Sequence, residues 1–143
     1  MSNQAILKIE SLKKVFAGKK TVVALDGIDL TVARNEFVVL LGPSGCGKST
    51  LLYIIGGLLK PSAGRVLLDD KDIVGTSPER GIVFQEFALY PWRTVEENIR
   101  FGLELSSSKV RDESKIREIV RDLIKTIGLT GFEKSKPHQL SGG

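Results

Sequence analysis

The stretch VVLLGPSGCGKSTLLYIIGGLL, residues 38–59, constrains the fold more than any other part of the chain. An apolar run breaks into a glycine-rich loop, and Lys48 stands where a second apolar run begins. A cation at the start of a helix opposes the positive end of the helix dipole. A local rule broken at one place marks function, and an anion is the ingredient that restores the balance. The loop GPSGCGKS matches G-x-x-x-x-G-K-[ST], with Gly42, Gly47, Lys48 and Ser49 at the fixed places. At background residue usage a match arises by chance in about one chain in 200 of this length. The context that the motif needs, an apolar strand before and a helix after, is present in the pattern.

Each residue type in the loop follows from its task. Gly42, Gly45 and Gly47 let the backbone curl until successive N–H groups face one concavity, which binds anions. A helix starting near Gly47 adds its positive end. Lys48 bridges phosphate oxygens, and the Ser49 hydroxyl suits Mg²⁺, an ion that keeps most of its waters and spans the phosphates. Thr50 adds a phosphate contact, and Pro43, Ser44 and Cys46 complete the nucleotide-binding run. Cys46 reads as a small loop filler, with a reactive thiol as the minor reading. The loop alone fits ATPases, GTPases and small-molecule kinases.

The rest of the chain bounds the answer. At 143 residues it is long enough for one modest domain with a core, and 41% hydrophobic against 27% charged residues reads as globular. The longest apolar runs, FVVLL and LLYIIGGLL, fall far short of the roughly 20 residues of a membrane span. MSNQAILKIE shows no charged start followed by an apolar block, so no secretory signal is expected. Cys46 is the only cysteine, which leaves no internal disulfide and fits a reducing compartment. The net charge of +4 comes from basic residues interleaved with acids, as in KVRDESKIREIVRD. That pattern reads as a solvated surface, and no direct nucleic-acid partner is expected.

Periodicity divides the chain. AILKIE and GIDLTVARNE alternate, with Ile28, Leu30 and Val32 on one side and Asp29 and Thr31 on the other, so both read as half-buried antiparallel strands. Asn35 suits a turn. FVVLL (37–41) does not alternate and reads as a strand buried on both faces, and RVLLDD (65–70) and GIVFQ (81–85) as two further strands. A helix is expected from Ser49 to Leu59, ending near Gly56 and Gly57. Ile116, Ile119, Val120, Leu123, Ile124 and Ile127 follow one helix face, and Gly128 supplies a stop. The expected organisation is an antiparallel β subdomain over about 1–36, a P-loop core over 37–90 and a helical subdomain over 91–143.

Two further features narrow the class. Gln85 ends a strand-like run 37 residues after Lys48, and the chain closes on PHQLSGG. Loop, glutamine and LSGG, in this order and spacing, resemble the ATP-binding subunits of ABC transporters, and the likeness runs from LKKVF to LSGG. FALYPWRTVEENI and PHQLSGG further resemble the branch that imports nitrate, sulfonates and taurine. The resemblance implies an α/β P-loop NTPase with a RecA-like core, and ATP with Mg²⁺ as cofactors. It implies that Phe16 stacks on adenine, where the alternative is a core phenylalanine, since aromatic faces pair readily with bases. It implies that Gln85 touches Mg²⁺ or the attacking water. Leu140, Ser141, Gly142 and Gly143 would be the signature that covers the ATP of a second, identical subunit in a two-fold dimer. Residues 86–98 resemble the surface that meets a membrane permease subunit, with Tyr90 and Trp92 either interface aromatics or packing residues. His138 carries no assigned chemistry. The implied location is peripheral, on the cytoplasmic face of the inner or plasma membrane.

In the family the acidic residues that bind Mg²⁺ and polarise water, and a switch histidine, follow the signature. None is in this sequence, so an N-terminal fragment truncated before the second nucleotide-binding motif is expected, with no catalytic residue of its own, weak ATP binding and negligible turnover. Two rival readings remain open: a soluble ABC ATPase of nucleic-acid maintenance or translation, and a non-catalytic truncated product.

Overall fold

The computed structural model describes residues 5–85, 88–105 and 112–140. The chain divides into two compact units, Met1–Ile82 and Val83–Gly143.

The first unit is built on two long strands, β1 (Ala5–Phe16) and β2 (Val22–Ala33), followed by α1 (Lys48–Ile55), β3 (Ala63–Leu68) and the short β4 (Lys71–Asp72). The sheet order is β2-β1-β3-β4, antiparallel throughout. Ile9 sits opposite Leu30 on one side and Val66 on the other. The alternation read from the sequence sets the faces. Leu7, Ile9, Leu12, Leu25 and Val66 turn inward and pack with Leu51 and Ile54 of α1, while Ile28, Leu30 and Val32 lie half-buried against them. Each such side chain contributes about 1.5–3 kcal/mol through burial. The outer face carries the ion pairs Lys8–Asp70, Lys13–Asp26 and Arg65–Glu10. Asn35 takes the left-handed conformation expected of it, with φ of 63°. Asp69 and Asp70, at φ of 47° and 59°, form the two-residue turn between β3 and β4.

Two expected strands are not strands. Residues 37–41 and 81–85 run without ladder pairing. Phe37, Leu41 and Val83 are 90%, 88% and 99% exposed. Only Leu40 joins the core periphery, and Ile82 approaches Gly56. A continuous apolar strand is stable when neighbours flank both edges and cover both faces. Among the described residues the one sheet holds β1–β4 alone, and neither segment pairs with it.

The second unit contains α2 (Val95–Glu104), α3 (Glu113–Thr126) and a 3-10 turn at Pro137–Gln139. Thr94 and Glu97 form a reciprocal capping box at the start of α2. Asp112 caps α3, and Gly128, at φ of 73°, follows its end as the sequence predicts. Val95, Ile116, Val120 and Ile124 form the core, with Ile99, Leu103, Leu129 and Leu140 around it. The apolar face of α3 is only partly covered, since Leu123 is 43% and Ile127 54% exposed. Arg100 on α2 makes a two-pronged pair with Glu113 on α3, both bonds 2.7 Å, and a third bond to Glu104.

Candidate functional site

The glycine loop joins residue 41 to α1 within the first unit. Gly45 and Gly47 have φ of 81° and 96°, conformations that L side chains rarely adopt. Gly47 is also held by its surroundings, because a Cβ there would lie 2.4 Å from the carbonyl oxygen of Ala24 on β2. The curl of the loop is therefore set against the sheet, not left to the loop alone. A turn bond from Cys46 N–H to the Pro43 carbonyl closes it at 3.4 Å, and Leu51 N–H donates to Gly47 O at 2.9 Å as α1 begins.

Lys48 is the first residue of α1, and its ammonium folds back over the loop. It donates to the carbonyl oxygens of Gly42 at 2.8 Å and Pro43 at 2.7 Å, and to Cys46 Sγ at 3.4 Å. The first turn of α1 holds no acidic residue, and Gly47 offers no side-chain cap. A helix start with a cation and no counter-charge attracts a negative ligand. Ser49 is exposed and Thr50 half-buried on that turn, while Pro43 and Ser44 are exposed in the loop. The Ser49 hydroxyl is a hard oxygen donor of the kind that Mg²⁺ takes.

Phe16 closes β1 opposite Val22 and is 42% exposed, with Lys14 Nζ 5.0 Å above its ring. Val22 and Val23 are 55% and 57% exposed, and the next residue, Ala24, is the one whose carbonyl abuts Gly47. The strand ends thus bring an apolar, aromatic edge to the same part of the unit as the phosphate-type loop.

The other sequence-predicted residues lie in the second unit. Gln85 is exposed in a bend. Leu140 is half-buried against the helical core and bonds through its N–H to Pro137 O. Ser141, Gly142 and Gly143 lie outside the described residues. His138 is exposed in the 3-10 turn. Tyr90 and Trp92 part company: Tyr90 is half-buried and meets Phe101 edge-on at 4.8 Å, whereas Trp92 is 68% exposed and leans on Tyr90 at 5.5 Å. The Arg93 guanidinium stacks 5.3 Å from Tyr90 and 4.7 Å from Phe101. Trp92, Arg93, Glu97 and Glu104 line a cleft of about 360 Å³. The Thr94 N–H bonded to Glu97 holds that carboxyl below its ordinary range. Arg93 and Asn98 lie within the 86–98 stretch but carry no individual role in the sequence pattern, and Phe101 lies beyond it, since each reads as an ordinary residue around an amphipathic helix start. The capping-box spacing Thr94-x-x-Glu97 was the signal that could have found the turn they build.

The chain matches the protein-family model described as ABC transporter over residues 25–143. It is 51% identical over 138 residues to an uncharacterized ABC transporter ATP-binding protein of Methanocaldococcus jannaschii, covering 96% of this chain and 51% of that protein. It is 43% identical over 139 residues to a taurine import ATP-binding protein of Pseudomonas fluorescens, covering 97% and 51%. The chain spans about half the length of these curated relatives. Among solved structures it resembles a dimeric, post-hydrolysis ATP-binding cassette bound to ADP and Pi, with a TM-score of 0.80 and 33% identity over 95% of this chain and 63% of that one.

Proposed function

The chain belongs to the ABC transporter family, and we propose that it binds the phosphates of ATP as part of a motor subunit that drives solute import. The observation that carries the reading is the Lys48 ammonium, bonded to Gly42 O and Pro43 O at a helix start without acidic residues. Phosphate oxygens would replace those neutral acceptors with charged ones, so the ammonium would meet full negative charge in place of carbonyl dipoles. The backbone amides from Gly45 to Thr50 and the positive end of α1 add to the same cradle. Ser49 would be a ligand for Mg²⁺, which would supply charge neutralisation at the phosphates. Phe16 would stack on the base.

The wider assignment follows the same family. A second copy of the chain would lay Leu140, Ser141, Gly142 and Gly143 over the nucleotide of the first, giving a two-fold dimer. A membrane permease subunit would dock on the surface around Trp92, and by the family resemblance the subunit would sit at the cytoplasmic face of the membrane. Among the described residues no helix is long and apolar enough to cross a membrane. The solute class that fits the sequence resemblance is nitrate, sulfonate or taurine.

Equilibrium binding of a fluorescent ATP analogue tests the core of this reading. Replacing Lys48 by Ala removes two or more charge-assisted bonds, at about 1.5–3 kcal/mol each, so affinity should fall by roughly 150-fold or more. Unchanged affinity in a folded Lys48→Ala protein would remove the loop from the account.

A further inference from the structure

The turn from 90 to 94 has no regular structure, yet one side chain from α2 holds it at four points. Asn98 Oδ1 accepts from Tyr90 N–H at 2.8 Å. Its Nδ2 faces the carbonyl oxygens of Tyr90 at 3.1 Å, Arg93 at 3.2 Å and Thr94 at 2.9 Å. A carboxamide has two donor hydrogens and one acceptor oxygen, so the turn uses both kinds of capacity, with three carbonyls sharing two hydrogens. No carboxylate could do this, since an ionised Asp presents only acceptors to those carbonyls. The turn adds one bond of its own, Arg93 N–H to Tyr90 O at 3.1 Å.

The consequence is a sorted set of side chains. Tyr90 and Arg93 are drawn back onto Phe101, and Trp92, between them, is left standing out at 68% exposure beside its cleft. Large exposed aromatics on a rigid mount are the usual anchors of protein interfaces. An anchor that is already in place avoids the ordering cost on binding.

We propose that Asn98 is a positioning residue for partner docking: it presets the 90–94 turn so that Trp92 is presented in its bound arrangement before the membrane subunit arrives. The inference rests on the docking reading above. Its arithmetic is a population shift. If loss of the clamp leaves the presenting turn populated about a tenth of the time, apparent affinity for the membrane subunit falls about tenfold.

The test uses the full-length protein and its membrane subunits in detergent, with docking affinity and nucleotide affinity measured on the same samples. Asn98→Asp and Asn98→Ala should weaken docking about tenfold and leave nucleotide affinity within twofold. Pro91→Gly, which loosens the same turn without touching α2, should weaken docking in the same direction. In a Trp92→Ala background, Asn98→Ala should add little, because Asn98 acts through Trp92. Three results would overturn the proposal: Asn98 variants that dock like wild type, a full additional loss on the Trp92→Ala background, or a loss of nucleotide binding equal to the loss of docking. Normal docking by Trp92→Ala itself would instead remove the docking reading on which the proposal stands.

Discussion

A Cβ on Gly47 would sit 2.4 Å from the carbonyl oxygen of Ala24 and 3.0 Å from Leu25 Cδ2. The nucleotide-type loop therefore touches the antiparallel sheet backbone to backbone, at a residue whose φ of 96° already excludes most side chains. Gly47→Ala should destabilise the first unit by about 1–3 kcal/mol from the backbone conformation alone, with the clash added. Because α1 must shift to relieve the contact, ATP affinity should drop in the same variant. Denaturant unfolding and nucleotide titration check the two effects separately.

Leu12 is fully buried, at 0% exposure, where β1 crosses the core under α1. Leu12→Ala leaves a cavity and should cost about 2–5 kcal/mol. The loss should appear in the unfolding midpoint. It should reach nucleotide binding only at temperatures where the first unit begins to unfold, since Leu12 belongs to the core cluster and not to the loop.

The Arg100 pair with Glu113 ties α2 to α3, and hydrogen bonding to Arg100 holds the Glu113 carboxyl below its ordinary value of 4.5. A carboxyl depressed on folding contributes stability that is present above its unfolded pKa and is lost as pH falls through the folded one. Wild type should therefore be more heat-stable than Glu113→Gln at neutral pH, and the gap should close as pH drops below about 4.5. Circular dichroism melts of both proteins across that range check it. A gap that persists under acid would mean that packing, not charge, links the helices.

The glycine loop stands out in the sequence because the proposed phosphate-binding role demands residue types at fixed spacing: Gly42, Gly47, Lys48 and Ser49 each carry their reason in one dimension. The half-buried strands were readable because alternation maps directly onto a face, as at Ile28, Leu30 and Val32. Where the outcome depends on what lies alongside, the pattern says less. Residues 37–41 look like a strand buried on both faces, yet burial requires partners that the described residues do not supply. On α3 the apolar stripe includes Leu123 and Ile127, which stay exposed, while Ile116, Val120 and Ile124 are buried and Ile119 is half-buried. Periodicity defines which face is apolar, and packing decides how much of it is used. The contact of Gly47 with Ala24 and the grip of Asn98 on residues 90–94 have no periodic signature at all, since both are meetings of backbone groups that only the folded chain brings together.

Phe16 offers the sharpest test of how a nucleotide would lie on the first unit. Its ring is 42% exposed, the flanking Val22 and Val23 are exposed beside it, and Ala24 leads directly to the glycine loop. If the base stacks there while the phosphates enter the loop, Phe16 and Lys48 act on opposite ends of one ligand. Phe16→Ala should then lose the stacking contribution, about 1–3 kcal/mol, which is roughly 5- to 150-fold in ATP affinity. Inorganic triphosphate has no base and should bind Phe16→Ala as it binds wild type, whereas Lys48→Ala should weaken both ligands. Competition titrations with the two ligands separate the ends. Equal losses for ATP and triphosphate in Phe16→Ala would place the ring in the packing of β1 instead of against the base, because only a change in the loop itself could weaken a ligand that is all phosphate.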